Sequence, residues 1–568
     1  MKKWIPFKKI YLSKNTLKKE LNISETMARL LINRDIVNVE DAKKFLSPDI
    51  KDLHNPYEMS GMSKTVERIE DAIKNKQKIC IYGDYDVDGI TSVAMLYSYI
   101  KELGGNVTYY IPNRADEGYG LNIEAIDKIL SQNVELIITV DCGIRSIEEV
   151  EAVNIAGADI IITDHHQCGE SLPDAYAIIN PNQAGCNYPF KYLAGAGVVF
   201  KLIAALSNRF DCDDSAYKFL DLAALATVAD VVPLIGENRI IVKNGLEAIK
   251  HTTNTGLNAL IKICNINLHD LDVYHIGFNI APRINAAGRL KDAGFVVELF
   301  TTDDPKRASE IAEELNELNV SRQSIESAIF ESALDRIKKE IDLKRERIIV
   351  LENNSWHVGV IGIIASKITE RFNVPSIIIS LEDKIGKGSA RSIAGLNIFE
   401  AISKCEEMLI RFGGHEMAAG LTIEEDYIGK FREKINDTII ELQKDKAFYR
   451  EIFVDYKLDK NDDLRKIYNE VVKLEPFGEG NPKPVFVYRS LWVKDLRTVG
   501  KDGKHLHIKL FNEKEYINAI GFNLGYAINY IEVNQKIDII CSVEVNSWNG
   551  NDTMQLHIKD FKLSKSQR

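Results

Sequence analysis

Three carboxylates stand within five residues in Gly83-Asp84-Tyr85-Asp86-Val87-Asp88-Gly89, directly after the β-rich run Lys78-Ile-Cys-Ile-Tyr82. In an open parallel sheet, a loop at the carboxyl end of a strand is where ligands bind. A phosphate there would want bare amides. Three carboxylates repel phosphate and one another, and stay ionised together only beside cations. The motif also fits the opening of a calcium-binding EF-hand loop, which must close on a bidentate Glu at its twelfth position. That position is Met95, and a strand precedes the loop where a helix should stand. A solvated acidic turn is the bland alternative for this motif alone. Other chain stretches shift the balance: Asp141 follows the apolar run Leu136–Val140, Asp164-His165-His166 follows Asp159–Thr163, and Ala229-Asp230 ends the apolar stretch Leu222–Val228. Acidic and imidazole side chains after three separate strands converge on one sheet edge. An oxygen-rich site with one or two imidazoles suits Mn2+ or Mg2+ better than Zn2+. Four or five carboxylates exceed the needs of one ion; two ions roughly 3.5–4 Å apart would use them and suit phosphoryl hydrolysis.

These residues need a scaffold that presents strand ends side by side. Between residues 78 and 182 short apolar runs alternate with helical stretches (a helix from about Thr91 to Glu102, a strand Asn106–Ile111, a helix Leu121–Leu130, a strand Ala177–Asn180). Continuous apolar strands alternating with helices predict a parallel sheet covered on both faces. No Gly or Pro interrupts Lys306 to Val358, and Ala308, Ile311, Leu315, Leu318, Ile325, Ile329, Ala333 and Ile337 recur at helical spacing. Helical to about residue 341, this element would run roughly 50–55 Å and join two domains. Arg347–Leu351 and Ser376–Ser380 restart α/β patterning up to about residue 445. From residue 453, short alternating runs separated by turns such as Asp502-Gly503 and Asn549-Gly550 predict a small β-barrel. The fold class is therefore α/β: two α/β domains joined by a long helix, followed by a C-terminal OB-like barrel. Boundaries fall at 1–50 (N-terminal segment), 51–300, 301–342 (helix), 343–450 and 451–568. Gly195-Ala-Gly197 lacks the third glycine of a dinucleotide fingerprint and reads as a decoy.

The chain has 568 residues, 45% hydrophobic and 27% charged, which calls for several cores and excludes long disorder. No apolar run approaches the roughly 20 residues of a membrane span, and no apolar stretch follows the N-terminal charges as in a secretion signal. Eight scattered cysteines without Cys-x-x-Cys fit a reducing cytoplasm, and Cys142, beside acidic residues, reads as structural. Net charge is −11, yet residues 456–568 hold 18 Lys and Arg against 15 Asp and Glu. A basic barrel on an acidic body is compatible with nucleic acid despite the total.

The motifs Asp84-Tyr-Asp-Val-Asp-Gly89, Asp141-Cys-Gly143, Asp164-His-His166 and Ala229-Asp230 resemble those of the DHH phosphoesterase superfamily. Further strings narrow the resemblance to the RecJ single-strand DNA exonucleases: Ile111-Pro-Asn-Arg114 with Glu117-Gly-Tyr-Gly120, Asn285-Ala-Ala-Gly-Arg289, Trp356-His-Val-Gly-Val-Ile-Gly362, Gly388-Ser-Ala-Arg391 and Gly413-Gly-His-Glu-Met-Ala-Ala-Gly420. The resemblance covers the chain from about residue 50 to 565, in order and including the barrel. The resemblance implies metal ligation by Asp84, Asp86, Asp88, Asp141, His165 and Asp230, with Asp141 bridging, and a catalytic set of Asp141, His165 and His166, the last touching the scissile phosphate. It implies a 5′-terminal pocket of Arg289, Ser389 and Arg391, with Arg114 on the backbone nearby and Gly413, Gly414 and His415 approaching the nucleic acid.

The activity so implied is two-metal (Mn2+ or Mg2+), 5′-to-3′ hydrolysis of single-stranded DNA to 5′-mononucleotides. Its setting is repair and recombination in the cytoplasm, as a monomer beside single-strand binding protein and a RecQ-type helicase. Tyr488, Trp492 and Trp548 are candidate base stackers, with a place in the buried core the commoner fate of such residues. The alternatives are a DHH phosphodiesterase for short oligonucleotides or cyclic dinucleotides, which would lack the barrel, and a non-catalytic scaffold, which would lack metal ligands.

Overall fold

The computed structural model describes residues 2–7, 13–114, 117–118, 120–212, 215–443, 450–548 and 551–564. Tyr119, the turn at 549–550 and the side chain of Trp548 lie outside the described residues. Five parallel strands form the first sheet, in the order Asn106–Tyr110, Lys78–Gly83, Leu136–Val140, Asp159–Thr163, Ala177–Ile179. Register pairs Ile81 with Ile138 and Ile138 with Ile161. The two faces of each strand feed different cores, as a period of two requires. Ile79, Ile81, Leu136 and Ile138 pack with the helices Val87–Glu102 and Gly195–Arg209, whereas Cys80, Tyr82, Ile137 and Ile160 pack with Ile126, Ile129, Val150 and Val153 from the other side. Both faces are covered, which is why the strands read as unbroken apolar runs. The first helix begins at Val87, four residues before the expected Thr91, because Asp86 caps it: its side chain accepts from the Asp88 and Gly89 amides. The acidic motif is itself the helix start.

The helix Pro305–Glu340 has 36 residues, about 54 Å at about 1.5 Å per residue. Ala308, Ile311, Ala312 and Leu315 belong to the first domain's core, while Ile329, Ala333 and Ile337 belong to a second core with Ile349 and Ile364. The sheet beyond it runs in the order Leu409–Gly414, Ala418–Glu424, Ile385–Arg391, Ser376–Glu382, Ile349–Asn353, and only its last pair is parallel. Its three antiparallel strands were not legible as strands. Gly386, Gly388, Gly413, Gly414 and Gly420 dilute the alternation that marks one.

The C-terminal domain is a closed five-stranded barrel of Phe486–Val499, His505–Phe511, Tyr516–Gly521, Asn551–Leu563 and Lys536–Trp548, closed by pairing of the first with the last. The N-terminal segment joins it. Lys2–Pro6 pairs in parallel with Arg450–Val454, and Leu17, Met27, Leu30 and Leu31 share one core with Leu464, Ile467, Val471 and the barrel interior. Sequence periodicity sees only neighbours, so a contact spanning more than 400 residues leaves no local trace. Tyr488, a candidate stacker, is buried with its hydroxyl accepting from Asn512 at 2.7 Å, so it belongs to the core. Trp492 is half-buried, with Lys494 and Lys536 over its ring at 5.4 and 4.6 Å. No helix among the described residues is long and apolar enough to cross a membrane.

Candidate metal centre

The groups arrive from the carboxyl ends of several elements and from the start of the helix Val87–Glu102, which carries Asp86 and Asp88. Asp84 follows the strand Lys78–Gly83, Asp141 follows Leu136–Val140, and the pair His165 and His166 follows Asp159–Thr163. Asp230 caps the C-terminus of the helix Leu220–Ala229. His165 Nε2 lies 3.1 Å from Asp141 Oδ1, 3.7 Å from Asp230 Oδ2 and 3.8 Å from Asp88 Oδ2. Three ligand sets have their donor atoms within 4.8 Å of one another: Asp84, Asp86 and Asp141; Asp88, His165 and Asp230; Asp141, His165 and His166. Asp141 and His165 each belong to two sets, so the three sets adjoin and form one cluster that could bind metal.

The surrounding chain is shaped to hold this arrangement. Asp141 has a left-handed backbone at φ +60° and Val231, after Asp230, another at φ +60°. Both conformations are strained for their residue types and cluster where side chains must be aimed. Asp88 accepts from the Gly195 and Ala196 amides at 2.6 and 2.7 Å, at the start of the helix Gly195–Arg209 whose dipole favours a carboxylate. A Cβ on Gly195 would lie 2.7 Å from Asp141 Oδ1. Gly195-Ala-Gly197, read as a decoy for a dinucleotide fingerprint, has a structural part in the acidic cluster: its first glycine lies against Asp141 and two amides hold Asp88. Asp164 accepts from the Ile144 amide at 3.0 Å and pairs with His166 Nδ1 at 2.7 Å, which fixes the His166 ring beside Asp141 and His165. Asn180 and Asn182 side-chain amides hold the carbonyls of His166 and His165 at 2.9 and 2.7 Å.

Electrostatics turn this geometry into a demand for cations. Burial and the charge of Asp86 push Asp84 up to about 8 and Asp88 up to about 7, the latter despite its two amide donors. Burial and the charges of Asp88 and Asp86 push Asp230 up to about 9, and burial with all its carboxylate neighbours lifts Asp141 well above the usual range. Burial lowers His165 to about 4, leaving it a neutral lone-pair donor. His166 is half-exposed, and although partial burial opposes its charge, the Asp164 hydrogen bond and charge raise it to about 9. Asp84 Oδ1 and His165 Nε2 are buried without a hydrogen-bond partner, a state that divalent cations would relieve. The donor set of carboxylates with one imidazole fits Mn2+ or Mg2+. Burial and Asp164 raise the Cys142 thiol, which is buried and disfavoured as a thiolate.

A cavity of about 810 Å³ opens beside the cluster, between the two α/β domains, and Arg114, Arg289, Ser389 and Arg391 all line it. Arg391 donates to Ser389 Oγ at 3.0 Å and to Ser366 Oγ at 3.1 Å, and Arg289 donates to the Gly359 carbonyl at 3.0 Å. Among the described residues none of Arg114, Arg289 and Arg391 forms a salt bridge. Burial and the charge of Arg114 lower both inner guanidiniums, Arg289 to about 10. Two half-buried guanidiniums, Arg289 and Arg391, that repel the exposed Arg114 and form no salt bridge among the described residues call for an anion. Gly362 leaves the room: a Cβ there would meet Arg391 and Ser389 at 3.2 Å. Arg114 and Arg289 also line a small cavity with Asp84 and Asp86, so the two sites are continuous.

Gly413, Gly414 and His415 are not brought into this cavity; they lie exposed at the tip of the hairpin Leu409–Glu424, whose Gly420 does line it. Sequence reasoning also missed Asn285, whose side chain accepts from the Val87 amide at the head of the acidic helix, and Phe278, a cavity-lining ring 70% exposed and stacked on Tyr274 at 4.7 Å. Asn285 was legible inside its motif; nothing marked Phe278.

Three family models match the chain: "DHH family, N-terminal domain" over residues 78–227, "DHHA1 domain" over 345–441 and "RecJ OB domain" over 454–560. The single-stranded-DNA-specific exonuclease RecJ of Bacillus subtilis is 38% identical over 97% of this chain and 70% of its own length. The RecJ of Escherichia coli is 33% identical over 94% and 95%. Among solved structures, RecJ of Thermus thermophilus in complex with Mn2+ is similar with a TM-score of 0.86 and 29% identity, covering 99% of this chain and 80% of that one. Its complex with Mg2+ matches with a TM-score of 0.80.

Proposed function

Because this chain belongs to the RecJ family of single-stranded-DNA-specific exonucleases, we infer that its acidic cluster and arginine cavity are two ends of one cutting site. The chain is a phosphodiester hydrolase acting on single-stranded DNA with Mn2+ or Mg2+. The observation that carries the assignment of residues is the continuity of the two sites through Arg114 and Arg289. Asp84, Asp86, Asp88, Asp141, His165 and Asp230 would hold two ions, with Asp141 shared. When bound, such ions supply Lewis-acid neutralisation of the phosphate and activation of water at neutral pH.

The protein's own groups do the rest. His166, cationic and steadied by Asp164, donates a hydrogen bond to the scissile phosphate where negative charge grows. Arg289, Ser389 and Arg391 hold the terminal 5′ phosphate, because a planar guanidinium donates two parallel hydrogen bonds and keeps its charge. Hydrolysis adds water across the P–O3′ bond: hydroxide joins phosphorus and the proton goes to the departing 3′ oxygen. A 5′-mononucleotide leaves, and the fresh 5′ phosphate refills the arginine pocket, giving 5′-to-3′ direction. In this reading residues 51–300 cut, 343–450 close the cleft over the terminus, and 451–568 grip the trailing strand by charge and stacking. Gly413, Gly414 and His415 would meet the strand only where it leaves the cavity.

The exonuclease reading outweighs a phosphodiesterase for short oligonucleotides because the chain carries the RecJ OB domain. Single-strand binding protein and a RecQ-type helicase are the partners this role implies, with a monomeric enzyme working in the cytoplasm on repair and recombination intermediates. The test is a time course on 5′- and 3′-labelled single and double strands with Mn2+, Mg2+ or chelator. Stepwise mononucleotides from the 5′ end of single strands support the reading, and release from 3′ ends or equal attack on duplex refutes it.

A further inference from the structure

The segment that leaves the metal centre is gripped by the loop leading into the barrel. Nine residues after Asp230, Arg239 stands in the helix Gly236–Lys250 with only 2% of its surface exposed. Its Nε donates to the Phe45 carbonyl at 2.8 Å, Nη1 to Leu474 at 2.8 Å and Pro476 at 3.4 Å, and Nη2 to Glu475 at 2.8 Å and Lys473 at 3.4 Å. The Phe45 ring lies 3.9 Å from the guanidinium carbon. Among the described residues no carboxylate forms a salt bridge with it. A buried charge held only by carbonyls is expensive in solvation. What it returns is geometry: a rigid fork that fixes carbonyls of two distant segments at once.

The grip continues back toward Asp230. The Leu234 amide donates to the Glu479 carbonyl at 2.7 Å. A Cβ on Gly478 would lie 2.7 Å from Leu234 Cδ1; one on Gly480, already at φ +70°, would lie 3.0 Å from Pro233 Cβ. From the N-terminal segment Arg34 donates to Asn481 Oδ1 at 2.7 Å, and Asn481 in turn donates to the Leu474 and Pro476 carbonyls at 2.8 Å. The loop so held runs straight into the barrel strand Phe486–Val499.

We infer that Arg239 is a positioning residue that fixes the barrel to the chain segment carrying Asp230, so that a strand cut at the metal centre meets the barrel at a set span. This rests on the reading that the barrel grips the trailing strand. Full-length Arg239→Lys keeps the charge and loses the fork; Gly480→Ala disturbs the same clasp from the loop side. Both are assayed on a 5′-phosphorylated strand of about 30 nucleotides, long enough for cleft and barrel together, and on a 5′-phosphorylated trinucleotide that occupies the cleft alone. Expected is a rise in KM of about tenfold or more on the long strand as the linked second contact is lost, with trinucleotide kcat/KM within about twofold of wild type. Equal loss on both lengths, or no change on either in both variants, overturns the inference. A wild-type enzyme with the same KM for both lengths refutes the barrel reading itself, independently of Arg239.

Discussion

Removing divalent metal should make this protein's stability depend on pH in a direction the acidic cluster dictates. Asp84, Asp88 and Asp230 rise from 3.8 to about 8, 7 and 9 in the folded chain without ions. A carboxyl with a raised folded pKa keeps a proton that the unfolded chain releases, so stability falls as pH climbs from about 4 through 7–9. These carboxyls titrate together, and each proton released costs up to about 1.4 kcal/mol per pH unit across that window. Several such groups together would rival the roughly 5–15 kcal/mol that folded domains possess. Ions reverse the sign by stabilising the ionised carboxylates. At a hundredfold excess over its Kd one ion adds about 2.7 kcal/mol. At about 2–4 °C per kcal/mol, that raises Tm by roughly 5–10 °C. At pH 5.5 protons occupy the ligands and compete. Thermal melts with Mn2+ against chelator should therefore show a large shift at pH 8.5 and a few degrees at most at pH 5.5. An equal shift at both values, or a larger one at pH 5.5, would refute the claim that buried, mutually repelling carboxylates form the site.

Gly195→Ala places a methyl 2.7 Å from Asp141 Oδ1 and should cut activity at least about tenfold by moving that ligand, with a matching loss of Mn2+ affinity by calorimetry; unchanged affinity would mean Asp141 does not need that close approach. Arg391→Ala removes the fork that reaches toward Ser389 and should erase about 2–4 kcal/mol of preference for a 5′-phosphorylated over a 5′-hydroxyl strand, about 30- to 1,000-fold. A preserved ratio of kcat/KM between those two strands counts against the terminal pocket.

Much of the site was legible because its chemistry is local. Asp84, Asp86 and Asp88 share one loop, Asp141 and His165 close two apolar strands, and the strand ends of a parallel sheet must meet. The long helix showed itself by thirty-six residues without an interruption. What stayed hidden depends on contacts between distant residues or on glycine. The strand Ile385–Arg391 carries Ser389 and Arg391, yet its glycines mask its period. The N-terminal helices bury Leu17 and Leu30 against the far end of the chain. Gly195 looked like a failed nucleotide motif because its partner, Asp88, lies 107 residues earlier. Of the two fates the sequence left open for Tyr488, stacking or the core, it meets the core, where an aromatic on an alternating strand most often ends.

The most direct test of the account is to count bound Mn2+ and follow cleavage of a 5′-labelled single strand in the wild type and in Asp141→Ala. Two ions should bind per wild-type chain. In the variant, ion binding should weaken, turnover should fall by about a thousandfold or more, and single-strand affinity should persist. Full turnover by Asp141→Ala, or wild-type cleavage that persists in chelator, would contradict it.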